Sequence, residues 1–414
     1  MEQQKAIKLQ ITKFSFYGFL KNLKFFEPYL IVYFAMSGLS LFQIGLLYSI
    51  REILIYLFEV PSGVLADRYG KKTELIICFV FYIISFVIFY LGSSFMIYAV
   101  AMFFFGLGEA FRSGTHKAMI MSYIDHQNIK ESKSKIYGKT RSFSLIGSTV
   151  SSLISIIFVL VLPNLSWLFI IAIIPYILDM ILILSYPSYL NDRVDAKFNF
   201  KEFLRQNVIA IKFVFEEKKI RNLLVNSASY NAVFKTIKDY IQPIIITITI
   251  SIIIFQSLTT DQNVNVYLGV IYAVIYLISS VASFNSHKLM EYISREKIIS
   301  IIWVLSGITL VLLSIFLENL VILISLFILL YVFLNLRKPI MIEKIGDEVE
   351  NSKRASALSI ESQFTSILVA VFAPILGLIA DYYSISIMLM IVGLMMVIIY
   401  ILRTNFILRE RGRQ

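Results

Sequence analysis

The sequence is poor in charged residues and in cysteine. Only 16% of its 414 residues are Asp, Glu, Lys or Arg, whereas 58% are apolar. Soluble domains usually carry about 25% charged and about 45–50% apolar residues. So few charges cannot coat a water-soluble surface around so much apolar mass, which excludes the soluble, disordered and fibrous classes. The single cysteine, Cys78, excludes an internal disulfide and a cysteine-based zinc site.

Motifs of soluble enzymes and of ATP-driven pumps are also missing. The sequence contains no P-loop, no zincin helix and no Gly-x-Ser-x-Gly element. Its three histidines, His116, His126 and His287, are too few and too scattered for a metal triad. We therefore expect no enzyme activity, no resident metal and no cofactor.

Long apolar segments are the dominant feature of the chain. A membrane helix needs roughly 20 mostly apolar residues. These segments are long and apolar all round, which favours helices over the short alternating strands of a barrel. The first is long enough to span, so we expect no removable signal peptide. Twelve spans are predicted, at 16–36, 42–66, 74–92, 95–121, 141–162, 166–187, 223–254, 264–286, 297–316, 319–342, 356–380 and 386–408.

Basic residues are restricted to alternate connections between these spans. Six connections contain no Lys or Arg, near 37–41, 93–94, 163–165, 255–263, 317–318 and 381–385. Lys and Arg near span ends are retained on the cytoplasmic side. The pattern predicts an all-α membrane protein with both termini cytoplasmic, and the net charge of +11 then reflects topology, not nucleic acid. The Ile- and Lys-rich composition suits a bacterial genome, so we expect a multi-pass protein of the bacterial inner membrane.

A long polar stretch divides the spans six and six. Residues 188–222 are charged and contain several phenylalanines, which is typical of an amphipathic interfacial helix. We predict an N-terminal six-helix bundle (1–187), a cytoplasmic linker (188–222) and a C-terminal six-helix bundle (223–414).

The two halves carry ionisable residues at a nearly constant offset. Asp67 and Glu291 lie 224 residues apart, and Arg112 and Arg337 lie 225 apart. Internal repeats with a midplane site are a feature of transporters.

A ten-residue loop from 63 to 72 joins the second and third spans. Its motif residues are Gly63, Asp67, Arg68, Gly70, Lys71 and Lys72. We expect Gly63 to let helices approach closely, and Asp67 to accept hydrogen bonds from a helix N-terminus. Gly70 permits a tight turn, and Lys71 and Lys72 are expected to face the anionic inner leaflet.

This loop resembles the signature loop of the major facilitator superfamily, which uses the same place between spans two and three of twelve. The resemblance implies a two-bundle fold with alternating access. It also implies that Asp67 caps the eleventh span near Ser356 to Ser359 and, with Arg112, sets a cytoplasmic gate.

The residues before the loop give a narrower resemblance. Glu59-Val60-Pro61 forms a Glu-x-Pro element, and Glu52 lies seven residues earlier in the same span. This pattern resembles the clostridial-type tetracycline-efflux branch of the family. The resemblance implies tetracycline as the substrate, carried as its magnesium chelate.

Ionisable side chains inside the predicted spans are the candidate site. A charge at the bilayer centre costs about 2.5–3.5 kcal/mol, which makes each one a functional hypothesis. Glu52 and Glu59 are seven residues apart, so both lie on one helix face about 10 Å apart along the axis. We predict that they carry protons; the alternative is a structural ion pair with Arg51 or with a distant arginine.

Further candidates occupy other spans. Glu109 and Arg112 can pair at i, i+3. Glu27 precedes Pro28 in the first span, and Asp239 can pair with Lys235 at i, i+4 in the seventh. For each of these a structural role is the alternative to proton coupling.

Two further groups of charges are expected to have no part in the site. Arg337, Lys338 and Glu343 are expected to snorkel at the cytoplasmic end of the tenth span. Asp179 lies in the sixth span, which is expected to be peripheral.

Together these features predict a proton-coupled exporter of a small amphipathic drug, working as a monomer in the bilayer with protons and its substrate as partners. In the predicted cycle protons from outside load Glu52 or Glu59, the drug leaves outward, and deprotonation inside resets the cavity. The alternatives are a proton-driven importer or facilitator of a small metabolite, and a membrane receptor or scaffold without transport.

Overall fold

A computed structural model describes residues 2–112, 115–127, 129, 133–191, 217–249, 255–349 and 354–411. This part of the chain is helical and contains no strand, which confirms the all-α prediction. The helices are α1 Glu2–Lys21, α2 Leu30–Met36, α3 Leu41–Tyr69, α4 Lys71–Leu91, α5 Phe95–Arg112, α6 Thr115–His126, α7 Lys133–Val161, α8 Trp167–Leu184, α9 Lys218–Ile237, α10 Ile241–Thr249, α11 Thr260–Tyr292, α12 Arg295–Ile315, α13 Leu320–Glu348, α14 Arg354–Tyr382 and α15 Ile385–Arg411.

Ten helices in the described ranges are long and apolar enough to cross a membrane. The protein is therefore a multi-pass membrane protein, while the number twelve and the side of the termini stay predictions. The predicted first and seventh spans are each built from two shorter helices. A 3-10 turn, Glu27–Tyr29, precedes α2, and a second one, Lys238–Tyr240, joins α9 to α10.

Proline lies at both interruptions. Pro28 stands inside the first 3-10 turn and Pro243 in the first turn of α10. Proline has no backbone N–H and fixes its own φ, so it fits the start of a helix, whereas in the interior it removes one helical hydrogen bond. Mean hydropathy predicts residues 16–36 and 223–254 each as a single span, because side chains on both sides of the break are apolar.

The chain forms two compact units. Unit 1 comprises residues Met1–Leu39, Leu46–Val208 and Phe255–Leu277, and unit 2 comprises Ser40–Gly45, Ile209–Ile254 and Ile278–Gln414. The predicted boundaries at 187 and 223 stay a prediction. Most of the predicted amphipathic linker helix, at 192–216, lies outside the described residues.

Aromatic rings fill the core of unit 1. Phe169 stacks on Phe26 and Phe89 at centroid distances of 4.6 and 4.8 Å. Helix α4 packs against α5, where the Cys78 thiol donates a hydrogen bond to the Gly108 carbonyl at 3.1 Å. The lone cysteine thus has a packing role.

Unit 2 is held by a close approach of α12 and α15. A Cβ added at Gly307 would lie 3.0 Å from the Gly393 carbonyl oxygen, and one added at Gly393 would lie 2.7 Å from that of Gly307. Glycine is required at this crossing because the backbones leave no room for a side chain. The Trp303 indole nitrogen donates to the Met396 carbonyl at 2.9 Å beside it.

The turn of the signature loop confirms one expectation. Gly70 has φ +95°, a left-handed conformation that side-chain-bearing residues rarely adopt. The Asn191 side chain accepts a hydrogen bond from the Lys72 backbone N–H at 2.9 Å, and a Cβ on Gly70 would collide with the same Asn191 oxygen. The tight turn is therefore locked by a residue 121 positions later in the chain.

Two other expectations for the loop stay predictions. A Cβ at Gly63 would meet no described atom within 4 Å, so the described residues show no close helix approach at this glycine. The position of the Lys72 ammonium toward the inner leaflet stays a prediction, and this ammonium donates to the carbonyls of Tyr186 and Leu184, at the C-terminal end of α8. Its charge there complements the negative end of the helix dipole. The Asp67 side chain and residues 350–353 lie outside the described part, so the cap on the eleventh span stays a prediction.

Candidate functional site

Unit 1 contains a carboxylate shared by two cations. Glu109 on α5 contacts Arg112 at 2.6 Å through Oε2 and Lys24 at 3.3 Å through Oε1. The Glu109 side chain is only 15% exposed. The i, i+3 pair with Arg112 is therefore confirmed, and Lys24 joins it from the segment just before the first 3-10 turn.

Lys24 is a site residue that the sequence reasoning missed. Its charge falls inside the predicted span 16–36, where a lysine is as costly as the glutamates that were singled out. That signal was available, but its partner was not, because Glu109 is 85 residues away.

A second ion pair lies on α3. Glu52 is 1% exposed, and its Oε1 contacts the Arg51 guanidinium at 2.9 Å. Arg51 also lies 4.6 Å from the centre of the Tyr48 ring and within electrostatic reach of Glu109. The predicted alternative, a pair with Arg51, is thus present, and it belongs to the same electrostatic neighbourhood as Glu109.

Helices α3 and α5 meet closely where these acids lie. A Cβ on Gly106 would be 3.0 Å from the Leu54 side chain and 3.1 Å from the Arg51 carbonyl oxygen. This approach brings the acids of α3 and α5 into one buried region. We call the set Lys24, Arg51, Glu52, Glu109 and Arg112 the charge cluster.

Glu27 and Glu59 are half-buried, and both belong to unit 1. Glu27 begins the 3-10 turn after Lys24, and Glu59 lies two turns beyond Glu52 on α3. Pro61 lies inside α3, two residues after Glu59. Their predicted roles in proton transfer stay predictions.

The interruption in unit 2 carries its own ion pair. Asp239 is 6% exposed, and its Oδ1 contacts the Lys238 ammonium at 2.9 Å. The adjacent lysine is thus one observed partner of Asp239, and the pair with Lys235 stays a prediction. Interrupted helices at corresponding positions of two halves are the best structural indicator of a transporter binding site.

A match to a family model identifies the family of this chain. The model of the Major Facilitator Superfamily matches residues 13–260 and 240–413. The chain belongs to the major facilitator superfamily.

Similar proteins agree with this family. The uncharacterized MFS-type transporter YxaM of Bacillus subtilis (strain 168) is 25% identical over 221 residues, which are 53% of this chain. The match spans about half of that relative, 54% of its length. The family and the fold are those of membrane transporters of small molecules, which are not enzymes.

Two solved structures share the fold. A point mutant of the nucleoside transporter NupG has a TM-score of 0.77 at 13% identity, covering 94% of this chain and 98% of that one. A POT family transporter in complex with 5-aminolevulinic acid has a TM-score of 0.74 at 14% identity and covers 96% of each chain. At such identities the likeness shows the fold alone.

Within this superfamily member, Arg337 is not at the surface. Its side chain is buried, with the residue 1% exposed, and it donates to the Asn226 Oδ1 at 2.5 Å and the Asn226 carbonyl at 3.3 Å. The guanidinium lies 4.0 Å from the centre of the Tyr230 ring. The predicted snorkelling of Arg337 is therefore wrong: α9 supplies an amide and an aromatic face for it.

Glu361 on α14 is a second residue that sequence reasoning missed. Its Oε1 accepts hydrogen bonds from Asn231 at 2.8 Å and Ser227 at 2.9 Å. Helix α9 thus binds an arginine of α13 and a glutamate of α14 through adjacent residues of the same two turns. The missed signal was an acid within the predicted span 356–380.

Unit 1 also contains a polar cavity of about 550 Å³. Ligand pockets of proteins usually measure about 300–1,000 Å³. Its lining combines hydroxyl, amide and carboxylate groups, including those of Tyr33, Tyr98, Asn164, Asp261 and Asn265. None of the described residues that line it is a lysine or an arginine. The described residues contain no group of three His, Cys, Asp or Glu side chains arranged for a metal.

Proposed function

We propose that this superfamily member is a proton-coupled exporter of small amphipathic compounds that works by alternating access. The observation that carries the proposal is the charge cluster in unit 1. Glu109 forms ion pairs with two cations, Lys24 and Arg112, in a largely buried environment. Five charged side chains would be costly to keep among apolar helices without a function.

Protonation of the cluster would change its energy sharply. Removing one partner from a buried ion pair costs about 3–5 kcal/mol, because the other charge is left uncompensated. A proton on Glu109 would expose both Lys24 and Arg112 to this penalty. The cluster would then favour a conformation in which the freed cations find other partners or water. This links proton binding to a change of state, as coupled transport requires.

Glu52 is the second proton carrier in the proposed cycle. It is more buried than Glu109 and has Arg51 as its ion-pair partner. Protons from outside load Glu52 and Glu59 as the drug leaves, and release inside restores the ion pairs. Tetracycline, as its magnesium chelate, is the first compound to test because the Glu-x-Pro loop resembles that of the tetracycline-efflux branch.

Proton-driven uptake of a polar metabolite is the second candidate. The cavity of about 550 Å³ in unit 1 favours it, since hydroxyl, amide and carboxylate groups suit a hydrophilic substrate better than a flat apolar drug. The same proton-coupling chemistry can drive either export or uptake. The exporter and the importer therefore differ in their substrate and in the direction of flux.

Transport in proteoliposomes tests the proposal. A pH-sensitive dye inside the vesicles reports proton movement when tetracycline or another compound of a drug panel is added. We expect drug-stimulated proton movement in the wild type and its loss in Glu52→Gln and Glu109→Gln. Glu318→Gln, which changes an exposed carboxylate, is the matched control and should behave as wild type.

Two outcomes would overturn the exporter. If both cluster variants move protons at the wild-type rate, the coupling assignment is wrong. If no compound of the panel drives protons and expression gives a drug-sensitive bacterium no resistance, while a polar metabolite accumulates down a proton gradient, the protein is the importer.

A further inference from the structure

A buried carboxylate outside the charge cluster has both of its oxygens unsatisfied. Asp179 on α8 has no exposed surface, and neither carboxylate oxygen has a hydrogen-bond partner among the described residues. The hydroxyls of Tyr17 and Tyr176 are equally buried and lack partners in the same part of the chain. Four buried oxygen atoms in three side chains thus have unmet hydrogen-bonding capacity.

These three residues belong to one packed region of unit 1. Tyr176 lies three residues before Asp179, on the same face of α8. The rings of Tyr17 and Tyr176 both pack on Phe79, at centroid distances of 6.1 and 5.3 Å. Tyr17 also interacts electrostatically with Asp179.

A charged carboxylate is a poor occupant of this region. Burying an ionised group without hydrogen bonds is far more costly than burying a neutral one, so such a group usually neutralises itself by taking a proton. Native proteins leave few buried polar atoms unsatisfied, and each one calls for an explanation. A protonated Asp179 has no net charge and can donate a hydrogen bond to a neighbouring oxygen.

The charged group described as interacting with Asp179 is Lys21, near the end of α1. Lys21 also interacts electrostatically with Glu109 and Arg112. Lys21 lies three residues before Lys24 in the chain, and it makes no hydrogen bond to either Asp179 oxygen.

Apart from Lys21, the titratable groups near Asp179 and Tyr176 include phenols, a thiol and the His116 imidazole, which stacks on Tyr17 at a centroid distance of 3.6 Å. Lys13 and Lys72 donate to carbonyls at the C-terminal end of α8. Helices α1, α4 and α7 pack against α8. Tyr17 from α1 and Tyr186 beyond α8 interact with Asp179, whereas Cys78 and Tyr82 from α4 interact with Tyr176. No described side chain of α7 contributes a charge to Asp179.

We propose that Asp179 is a proton-holding site, in which the carboxyl group carries a proton and donates a hydrogen bond to a neighbouring buried oxygen. Protonation forms an O–H bond on the carboxylate with a proton taken from water, and a raised pH returns that proton to water. The site does not depend on the proposed proton coupling.

Infrared spectroscopy of the purified full-length protein in lipid tests the proton on Asp179. The carbonyl stretch of a protonated, buried carboxyl group separates from the carboxylate bands. We expect the wild type to show such a band that disappears as the pH is raised, and Asp179→Asn to lack it. Asp179→Glu should keep a displaced band. Glu74→Gln, which changes a buried carboxylate that accepts from Thr115 at 2.5 Å, is the matched control and should keep the Asp179 band.

Two results would overturn the site. A wild-type spectrum identical to that of Asp179→Asn at every pH would show that Asp179 carries no proton. A band that appears only after sodium is replaced by a bulky organic cation would show that the four oxygens bind a small metal cation instead.

The failure of this site and the failure of the exporter can be told apart. A titrating Asp179 band without drug-driven proton movement would keep the site and overturn the exporter. Drug-driven proton movement without such a band would keep the exporter and overturn the site.

Discussion

The shared carboxylate of the charge cluster gives the sharpest stability prediction. Glu109→Gln keeps the shape of the side chain but removes the charge that Lys24 and Arg112 share. Breaking a buried pair costs about 3–5 kcal/mol. Glu109 is 15% exposed and Arg112 28%, so water relieves part of this cost. We expect a loss of about 3 kcal/mol in the free energy of unfolding.

The lone cysteine supplies the assay. Cys78 is fully buried, so its thiol reacts with a fluorogenic maleimide only after unfolding. Denaturation in mixed micelles, followed through this label, gives the free energy for each variant. The double variant Glu109→Gln with Lys24→Met should recover part of the loss, since it removes one uncompensated cation.

An exposed ion pair provides the control for this prediction. Glu343 contacts Arg295 at 2.7 Å, and its side chain is 45% exposed. Exposed pairs contribute about 0–1 kcal/mol, so Glu343→Gln should cost little. If Glu109→Gln is no more destabilising than Glu343→Gln, the reasoning about the charge cluster is refuted.

Three substitutions test other parts of the structure with the same label. Gly70→Ala should lower the free energy of unfolding by about 1–2 kcal/mol, because a left-handed backbone strains any residue with a Cβ. Gly63→Ala, where no described atom lies within 4 Å of the added Cβ, should be neutral or stabilising. Equal losses of stability in the two variants would contradict the turn assignment. Gly307→Ala should cost about 1–3 kcal/mol by overpacking the α12–α15 crossing, and wild-type stability would show that the helices can separate. Arg337→Met should lower the stability, and Arg337→Lys should fail to restore it, since an ammonium cannot both stack on an aromatic ring and donate through a planar fork. Full stability in Arg337→Lys would show that a positive charge alone is what this position needs.

Local patterns were enough to predict the helical membrane fold and parts of the site. Mean hydropathy, the turn glycine at Gly70 and the i, i+3 spacing of Glu109 and Arg112 each depend on a few neighbouring residues. The signature loop indicated the family for the same reason. Such features survive in any tertiary arrangement of the helices, so the residues alone were sufficient.

Local sequence patterns were not enough to predict that the first and seventh spans are interrupted. Pro28 and Pro243 are visible in the sequence, but proline is tolerated in many membrane helices. Whether it breaks the helix depends on which backbone groups the neighbouring helices satisfy. A hydropathy window averages over this difference.

Only the tertiary structure decided which charges meet. Lys24 pairs with Glu109 across 85 residues, Arg337 reaches Asn226 across 111, and Lys72 binds the end of α8. The sequence determined that these charged groups stand in or beside apolar helices, where each needs a partner. It could not determine the partner, because hydropathy belongs to a single residue whereas an ion pair depends on how two helices pack.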